Sequence, residues 1–342
     1  MTKPVSAIIA ITLNCNSRCI MCDIWKNKIP NELPAEYYKK LPSSLRDINI
    51  TGGEPFLRQD IVDIVRNMKE AAPQARFIMN TNGFMPHMVK KHLPKILTID
   101  PNFAFRVSID GIGKAHDAIR RIPGGYNKIL ESLKIAKEVG AKDLGIAFTL
   151  IDQNVDELPK VQQLANDLGV EFSMTVATNS TIYFGSGKEN LRPKNPERLE
   201  FRLEEAAKKH LNKTSPKEIM RGWFIKRLLT YVQSGKRALV CDAGTGFFYM
   251  DSLGNVYTCH LKPWKMGNIK NQSMEEILSN QKFAKQVASC NACWMVCTAK
   301  SMMRKKIFRT ALEALKDKAA IHFPLPNKPD FGVIVPSKPS NN

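Results

Sequence analysis

The sequence lacks the features that mark several classes of protein. No run of 18 consecutive apolar residues occurs, and the opening MTKPVSAIIAITLNC holds only a short apolar run that ends at an asparagine. A membrane span and a signal peptide are therefore not expected. Cysteine is absent between Cys22 and Cys241, which is unlike the disulfide framework of a small secreted domain. We expect a cytoplasmic protein.

Acidic and aromatic residues are also few. The 342 residues include 32 Asp and Glu against 51 Lys and Arg, so the net charge is +19. This surplus favours anionic substrates or partners, although scattered lysines also simply keep a protein soluble. Aromatic residues make up 8%, and no basic stripe is interleaved with them, so nucleic-acid binding is not expected. A basic, metal-stabilised nucleic-acid module remains the non-enzyme alternative.

The cysteines that are present fall into two groups. In a chain of this length, clustered cysteines more often bind metal than form disulfides. The first group is Cys15, Cys19 and Cys22, and the second is Cys241, Cys259, Cys290, Cys293 and Cys297.

The first half of the sequence alternates short apolar runs with helical patterns. This alternation predicts an α/β fold with a parallel sheet, either closed into a barrel or open, whose functional loops follow the carboxyl ends of the strands. The predicted strands are Val5 to Leu13, Asp47 to Thr51, Arg76 to Asn80, Phe103 to Ser108, Leu144 to Leu150 and Glu171 to Val176.

The second half is organised differently. Two helices, joined through Ser215 and Pro216, are followed by a hairpin pattern with a turn near Ser252 to Asn255 and by a helix near Met274 to Gln286. The segment MMRKKIFRTALEALKDK reads as a basic amphipathic helix that docks on its own domain or touches anionic lipid or an acidic partner. We expect an α/β domain at 1–195, a helical linker at 196–237, a metal-binding domain at 238–300, and a basic helix with a proline-containing tail at 301–342.

The first three cysteines directly follow the first predicted strand. Three thiolates leave one position of an iron-sulfur cluster open to another molecule, whereas four would seal it and suit electron transfer. A zinc site is the competing interpretation, but zinc pairs usually have C-x2-C spacing or include histidine, and no histidine lies nearby.

This segment, CNSRCIMC, resembles the signature of the radical S-adenosylmethionine (SAM) superfamily. Further matches follow successive strands in the order of that family: the segment Gly52, Gly53, Glu54, Pro55; then Asn82 in a Thr-Asn-Gly segment; then Ser108 and Asp110; then Arg120. Met21 departs from the aromatic residue that many members carry before the third cysteine. The resemblance covers the first 180 residues and implies a partial (β/α)6 barrel.

The resemblance also implies roles for these residues. Cys15, Cys19 and Cys22 would ligate a [4Fe-4S] cluster, and Gly52, Gly53 and Asn82 would lie against SAM. Glu54 would accept hydrogen bonds from the methionyl ammonium group. Ser108 and Asp110 would bind ribose or carboxylate oxygens, and Arg120 would hold the SAM carboxylate. No catalytic residue that acts on a substrate is assigned.

The C-terminal cysteines resemble those of the SPASM or twitch auxiliary-cluster domain. The resemblance covers residues 239–299, includes Gly254, Gly267, Asn268, Ile269 and Ser273, and implies a small α+β domain with one auxiliary [4Fe-4S] cluster. We expect Cys241, Cys259, Cys290 and Cys293 as its ligands, with Cys297 as a substitute ligand or a free thiol. A zinc ribbon is the alternative, and His260 is expected to pack beside the site.

By this resemblance the chain would be an enzyme, most simply of oxidoreductase type. It would cleave SAM reductively to a 5'-deoxyadenosyl radical that abstracts hydrogen from a substrate, with oxidation through the auxiliary cluster. A reductant such as flavodoxin or ferredoxin would supply electrons. Only 14 residues precede Cys15, which leaves no room there for a leader-binding domain and favours a small, anionic substrate. The alternative is a peptide-modifying maturase that works with a separate leader-binding protein.

Overall fold

The computed structural model describes residues 3–178, 180, 182–183 and 195–322. Six parallel strands in this part of the chain form consecutive neighbours of one sheet, in the order β6-β5-β4-β3-β2-β1. They are β1 (Ser6–Thr12), β2 (Asp47–Gly52), β3 (Arg76–Thr81), β4 (Ala104–Ser108), β5 (Asp143–Leu150) and β6 (Glu171–Val176). The predicted strands and the α/β fold are confirmed, and each boundary differs from its prediction by one residue or less.

Helices connect the strands and cover the outer face of the sheet. In the first of them Ile61, Ile64, Val65 and Met68 are buried, at the three- and four-residue spacing that places side chains on one helical face. The connecting helices are α1 (Ile61–Ala71), α2 (Pro86–Ile99), α3 (Lys114–Arg120), α4 (Gly125–Glu138) and α5 (Leu158–Asp167).

The two faces of the sheet differ in polarity. Successive side chains of a strand point to opposite faces, and in β2 the residues Ile48 and Ile50 enter the main hydrophobic core while Asn49 and Thr51 line a cavity. The alternation therefore separates a packed outer layer from a polar inner surface.

Two long helices that pack on each other follow the six strands. They are α6 (Pro196–Leu211) and α7 (Pro216–Ser234). Their close packing depends on Gly222, where a Cβ would lie 2.5 Å from Cγ of Leu211. Helix α7 ends at Gly235, whose backbone at φ 67° is left-handed and whose N–H donates to the Tyr231 carbonyl. Glycine tolerates this conformation with little strain.

The C-terminal part continues the same sheet. Strand β7 (Phe247–Met250) pairs in parallel with β1, and β8 (Asn255–Tyr257) and β9 (Lys265–Asn268) then add antiparallel strands. The predicted hairpin and its turn are confirmed. The chain ends in four helices within the described residues: α8 (Met274–Ser279), α9 (Ala284–Ala288), α10 (Val296–Lys305) and α11 (Ile307–His322).

Two helix predictions in this part are wrong in their extent. The helix expected from Met274 to Gln286 is two short helices, because Asn280 takes an extended backbone and its side-chain amide donates to the Met266 carbonyl. The basic amphipathic segment is likewise divided, because Lys306 leaves the helical conformation at φ −116°.

The proline-containing tail lies outside the described residues. Among the helices that are described, none combines the length and apolar character needed to cross a membrane.

Candidate functional site

The loop with the first three cysteines is anchored at both ends. Asn14 exchanges two hydrogen bonds with Ile29, its amide donating to the Ile29 carbonyl at 3.0 Å and its oxygen accepting from the Ile29 N–H at 3.2 Å. Further along, Arg18 and Ile20 donate backbone hydrogen bonds to the carbonyls of Arg120 and Ile119. These contacts fix Cys15, Cys19 and Cys22 between the end of β1 and the end of α3.

The two glycines after β2 allow the next loop to approach the cysteine loop. Gly53 donates to the Thr12 carbonyl at 2.8 Å, and Glu54 donates from its backbone to the Asn14 carbonyl at 2.8 Å. A Cβ at Gly53 would lie 2.0 Å from the Asn14 oxygen, and one at Gly52 would lie 2.2 Å from the Thr12 oxygen. Backbone packs directly on backbone here, so these positions exclude every residue with a side chain.

The Glu54 carboxylate is buried and holds groups of the chain itself. Its Oε1 accepts from the Phe56 N–H at 3.1 Å and the Thr81 hydroxyl at 2.7 Å, and its Oε2 accepts from the Asn82 N–H at 2.7 Å. Burial raises its pKa. Glu54 is not among the residues that line the cavity, so in this arrangement it orients the loop after β3. Its expected contact with the SAM ammonium group stays a prediction.

Asp110 and Arg120 form a buried ion pair beside the cysteines. Nε of Arg120 donates to Oδ2 of Asp110 at 2.6 Å, and another of its nitrogens lies 3.5 Å from the Cys19 sulfur. Although burial alone would lower the pKa of Arg120, the charges of Asp110 and Cys19 raise it. Oδ1 of Asp110 accepts from the Thr149 N–H at 2.7 Å, which ties this pair to β5.

His116 supports the same pair and was not singled out from the sequence. Its Nδ1 accepts from the Asp110 N–H at 3.1 Å, and its side chain is fully buried. Burial, with a contribution from Arg120, lowers the pKa of His116 to about 3, so the ring is neutral near pH 7. The sequence offered no motif for it, since a single histidine within a helical pattern is not distinctive.

These groups surround a cavity of about 260 Å³ at the carboxyl ends of the strands. Both halves of the chain contribute to its wall, which brings together most of the predicted site. The lining includes Cys15, Cys19, Cys22, Gly52, Gly53, Asn82, Ser108 and Arg120, the strand residues Asn49, Thr51, Asn80, Thr149 and Thr175, and the C-terminal residues His260, Met295 and Cys297.

Period-two alternation could have found some of the strand residues that the sequence analysis missed. Asn49 and Thr51 stand between the apolar Ile48 and Ile50, and the Asn80 amide donates to the Asn49 oxygen at 2.7 Å across the strands. Tyr183 was also missed. Its hydroxyl contacts Thr51 at 2.8 Å and the Gly52 carbonyl at 2.9 Å, but it follows β6 without a recognisable motif.

A larger cavity, of about 620 Å³, lies at the opposite end of the sheet. It is lined by Asp143 and Glu171, which begin β5 and β6, and these carboxylates are already paired with Arg106, Lys217 and other cations. Parallel sheets carry their sites at the carboxyl ends of the strands. We therefore assign the functional site to the smaller cavity, where the cysteines lie.

The donor set of the smaller cavity fits an iron-sulfur cluster. Burial, with a contribution from the charge of the neighbouring Cys19, raises the pKa of the Cys15 and Cys22 thiols to about 12. Thiolates packed together in this environment need a positive partner, which the irons of a cluster provide.

The five C-terminal cysteines also lie near one another. Cys293, which is buried, interacts with the charges of Cys241, Cys259, Cys290 and Cys297. Arg237 donates to the Cys293 sulfur at 3.4 Å and compensates part of the charge that thiolates would carry. Cys297, in the first turn of α10, faces the cavity of the first three cysteines. Which four of the five ligate a cluster stays a prediction.

Two family models match the two parts of the chain that hold the cysteines. Residues 9–165 match the Radical SAM superfamily, and residues 241–298 match SPASM, an iron-sulfur cluster-binding domain. The chain is 27% identical over 296 residues to the AdoMet-dependent heme synthase of Methanosarcina barkeri (strain Fusaro / DSM 804), covering 79% of this chain and 80% of that protein.

Two further proteins are similar to the chain over different extents. The chain is 30% identical over 199 residues to the pre-heme d1 synthase of Dinoroseobacter shibae (strain DSM 16493 / NCIMB 14021 / DFL 12), covering 55% of this chain and 46% of that one. It therefore spans about half the length of that relative. The solved structure of native anSMEcpe with bound AdoMet matches 92% of this chain and all of its own, with a TM-score of 0.62 and 16% identity, and it shows that the fold is shared.

Proposed function

Because the chain belongs to the radical SAM superfamily, in the subgroup with a C-terminal SPASM domain, we propose that it abstracts hydrogen from a small-molecule substrate and oxidises that substrate through an auxiliary cluster. SAM and a [4Fe-4S] cluster are cofactors of this superfamily, and the SPASM domain binds auxiliary clusters. The observation that carries the proposal is the single cavity whose wall includes Cys15, Cys19 and Cys22 on one side and Cys297 on the other.

Cys15, Cys19 and Cys22 would hold the catalytic cluster. They are three sulfur donors on one loop, and three ligands leave one iron open to SAM. When bound, the reduced cluster supplies the electron that cleaves SAM to methionine and a 5'-deoxyadenosyl radical. The chain supports this by fixing the three thiols through the backbone contacts of Arg18 and Ile20.

The residues around the thiols would bind and orient SAM. Arg120 is held in place by Asp110 and keeps part of its planar fork for the SAM carboxylate. Asn82 and Ser108 line the same cavity and carry polar atoms suited to ribose or amino-acid oxygens. Gly52 and Gly53 form part of the cavity wall. Because neither has a side chain, they leave room for SAM. These assignments follow the resemblance and the cavity together.

Two observations support a small anionic substrate. The similarity to AdoMet-dependent heme synthase extends over 79% of the chain, and the net charge is +19. Carboxylate-bearing tetrapyrroles are therefore the first substrate class to test. The proximity of Cys297 to the catalytic cavity supports transfer of an electron from the substrate to the C-terminal domain, and so a net oxidation. A reductant such as flavodoxin or ferredoxin would reduce the catalytic cluster.

The test is anaerobic reconstitution of the full chain with iron and sulfide, followed by metal analysis and by incubation with SAM and dithionite. We expect about eight irons per chain and 5'-deoxyadenosine as a product. A panel of carboxylated tetrapyrroles and a panel of peptides are then added, and the expected result is substrate-dependent 5'-deoxyadenosine only with the first. Turnover of peptides alone would instead support the peptide-modifying maturase.

Two variants separate the clusters. Cys15→Ala is expected to lose about four irons and all SAM cleavage, whereas Cys259→Ala is expected to lose about four irons but to keep uncoupled cleavage of SAM. Both cysteines lie in the same cluster of buried apolar residues, so the two variants are a matched pair. Equal SAM cleavage by the wild type and Cys15→Ala would overturn the assignment of the catalytic cluster.

A further inference from the structure

Helix α11 docks on the rest of the protein through one face. The carboxylate of Glu313 accepts from the Trp223 indole at 3.2 Å, and Asp317 pairs with Lys226 at 2.7 Å and with Arg227 at 3.1 Å. All three partners belong to α7. Glu313 and Asp317 are the acidic residues of α11, so both acids of the helix are turned toward the protein.

The opposite face of α11 is apolar and exposed. Phe308 is 90% exposed, Leu312 is 56% exposed, Leu315 is 55% exposed and Ile307 is 46% exposed. Residues 308, 312 and 315 have the four- and three-residue spacing that places them on one side of a helix. Isolated exposed apolar residues need no explanation, but a contiguous stripe of this kind marks an interaction surface. We call Phe308, Leu312 and Leu315 the α11 stripe.

Exposed cations border the α11 stripe. Lys305, Lys306, Arg309 and Lys316 are all exposed. Arg309 contacts Glu313 and Lys305 contacts Asp242, and their side chains are 63% and 41% exposed. The acids of α11 are therefore turned inward, and its cations Arg309 and Lys316 lie outward beside the apolar residues, whereas Lys318 donates to the Leu211 and Lys213 carbonyls. The outward cations complement a negatively charged surface.

We propose that the α11 stripe binds the surface of an anionic phospholipid bilayer. Helices that lie in the interface of a bilayer bury Phe and Leu below the headgroups while flanking Lys and Arg contact the lipid phosphates. Helix α11 has 16 residues, fewer than the roughly 20 that span a bilayer, so it would lie in the plane of the surface. The net charge of +19 adds long-range attraction to the same partner. The inference does not depend on the proposed catalytic function.

The experiment uses the full, reconstituted chain with vesicles. The protein is sedimented with vesicles of equal parts phosphatidylglycerol and phosphatidylcholine, or with phosphatidylcholine vesicles alone, at low and at high salt. We expect binding to the anionic vesicles that weakens at high salt, because charges at a surface are screened, and little binding to the neutral vesicles.

Three variants assign the binding to the stripe. Phe308→Ser combined with Leu312→Ser should lower the partition coefficient at least about tenfold, because burial of these side chains contributes to interfacial affinity. Lys306→Glu combined with Lys316→Glu should abolish the preference for anionic vesicles. The matched control is Phe201→Ser, since Phe201 is 64% exposed on α6 and does not belong to the stripe. The replaced residues are exposed, and unchanged circular dichroism and iron content verify that each variant is folded.

Other outcomes would overturn the proposal. Absence of binding to anionic vesicles, or wild-type binding by the Phe308→Ser and Leu312→Ser variant, would show that the stripe does not bind lipid. A dimer in light scattering that the same variant abolishes, without any vesicle binding, would assign the stripe to a second copy of the chain.

Discussion

Arg120 and Asp110 are joined by a buried ion pair, with Nε of Arg120 donating to Oδ2 of Asp110 at 2.6 Å and the Asp110 side chain fully buried. The pair fixes the guanidinium beside the Cys19 sulfur. A buried charge without its partner is strongly destabilising, whereas removal of both charges costs much less. This difference allows the structural contribution of the pair to be measured apart from its contribution to SAM binding.

We expect Arg120→Leu to lower the free energy of unfolding by about 3–5 kcal/mol, because it leaves the Asp110 carboxylate buried and unpaired. The double variant Asp110→Asn with Arg120→Leu should recover part of that loss. Urea denaturation of the wild type, the two single variants and the double variant measures the coupling free energy between Asp110 and Arg120. Additive effects of the two single substitutions would contradict the ion pair. The difference in SAM binding between Asp110→Asn and the double variant reports the loss of the guanidinium itself.

His116 predicts how stability depends on pH. Its folded-state pKa is lowered from 6.5 to about 3 by burial, with a contribution from Arg120, so folding favours the neutral ring. The stability that this residue contributes is complete above pH 6.5 and is lost as the pH falls toward 3. In His116→Asn, whose side-chain oxygen can still accept the Asp110 N–H, the fall should be shallower by about 1.4 kcal/mol per pH unit. Denaturant melts at a series of mildly acidic pH values test this, and identical slopes would refute it.

Gly53→Ala tests the contact between the two loops. The added Cβ would lie 2.0 Å from the Asn14 oxygen, so the cysteine loop must shift, at a cost of about 2–3 kcal/mol. Gly140→Ala is the control, since Gly140 has φ 88° with no atom within 4 Å of a Cβ and should cost only about 1–2 kcal/mol of backbone strain. The iron content should fall in Gly53→Ala and not in Gly140→Ala. Unchanged iron in both would indicate that the contact does not position the cysteines.

The five C-terminal cysteines give a prediction about ligand choice. Cys293 interacts with the charges of the other four cysteines and contacts Arg237, whereas Cys297 borders the catalytic cavity. We expect Cys293→Ala to lose about four irons and Cys297→Ala to keep about eight. Iron analysis with electron paramagnetic resonance distinguishes the two variants. Loss of four irons from Cys297→Ala, with none from Cys290→Ala, would make Cys297 the fourth ligand in place of Cys290.

The parts of the fold with a local pattern could be predicted from the sequence. The six parallel strands follow from apolar runs, and the motif residues follow those strands because parallel strands end at one edge of the sheet. Strand β7 pairs with β1, so that Phe247 lies opposite Ser6. These residues are far apart in the sequence and no local pattern indicates their pairing, so it was not predicted. The breaks at Asn280 and Lys306 were missed because helical periodicity continues across both.

The candidate site shows the same division. Motif spacing predicted which residues lie together at the carboxyl ends of the strands, but not which of them face the cavity. Glu54 was expected at a ligand, and the structure shows its oxygens holding Phe56, Thr81 and Asn82. A sequence does not reveal that a buried carboxylate meets donors at the end of another strand, as Glu54 meets Thr81 and Asn82. His116 was missed because a single histidine within a helical pattern is not distinctive.

The position of β1 has a consequence for the order in which the chain can fold. Strand β1 lies between β2 and β7, so one of its edges stays unpaired until residues 247–250 have left the ribosome. An unpaired strand edge is a template for association with other chains. During synthesis this edge of β1 is thus exposed while the residues between β1 and β7 are translated, and completion of the C-terminal sheet is the step that protects it.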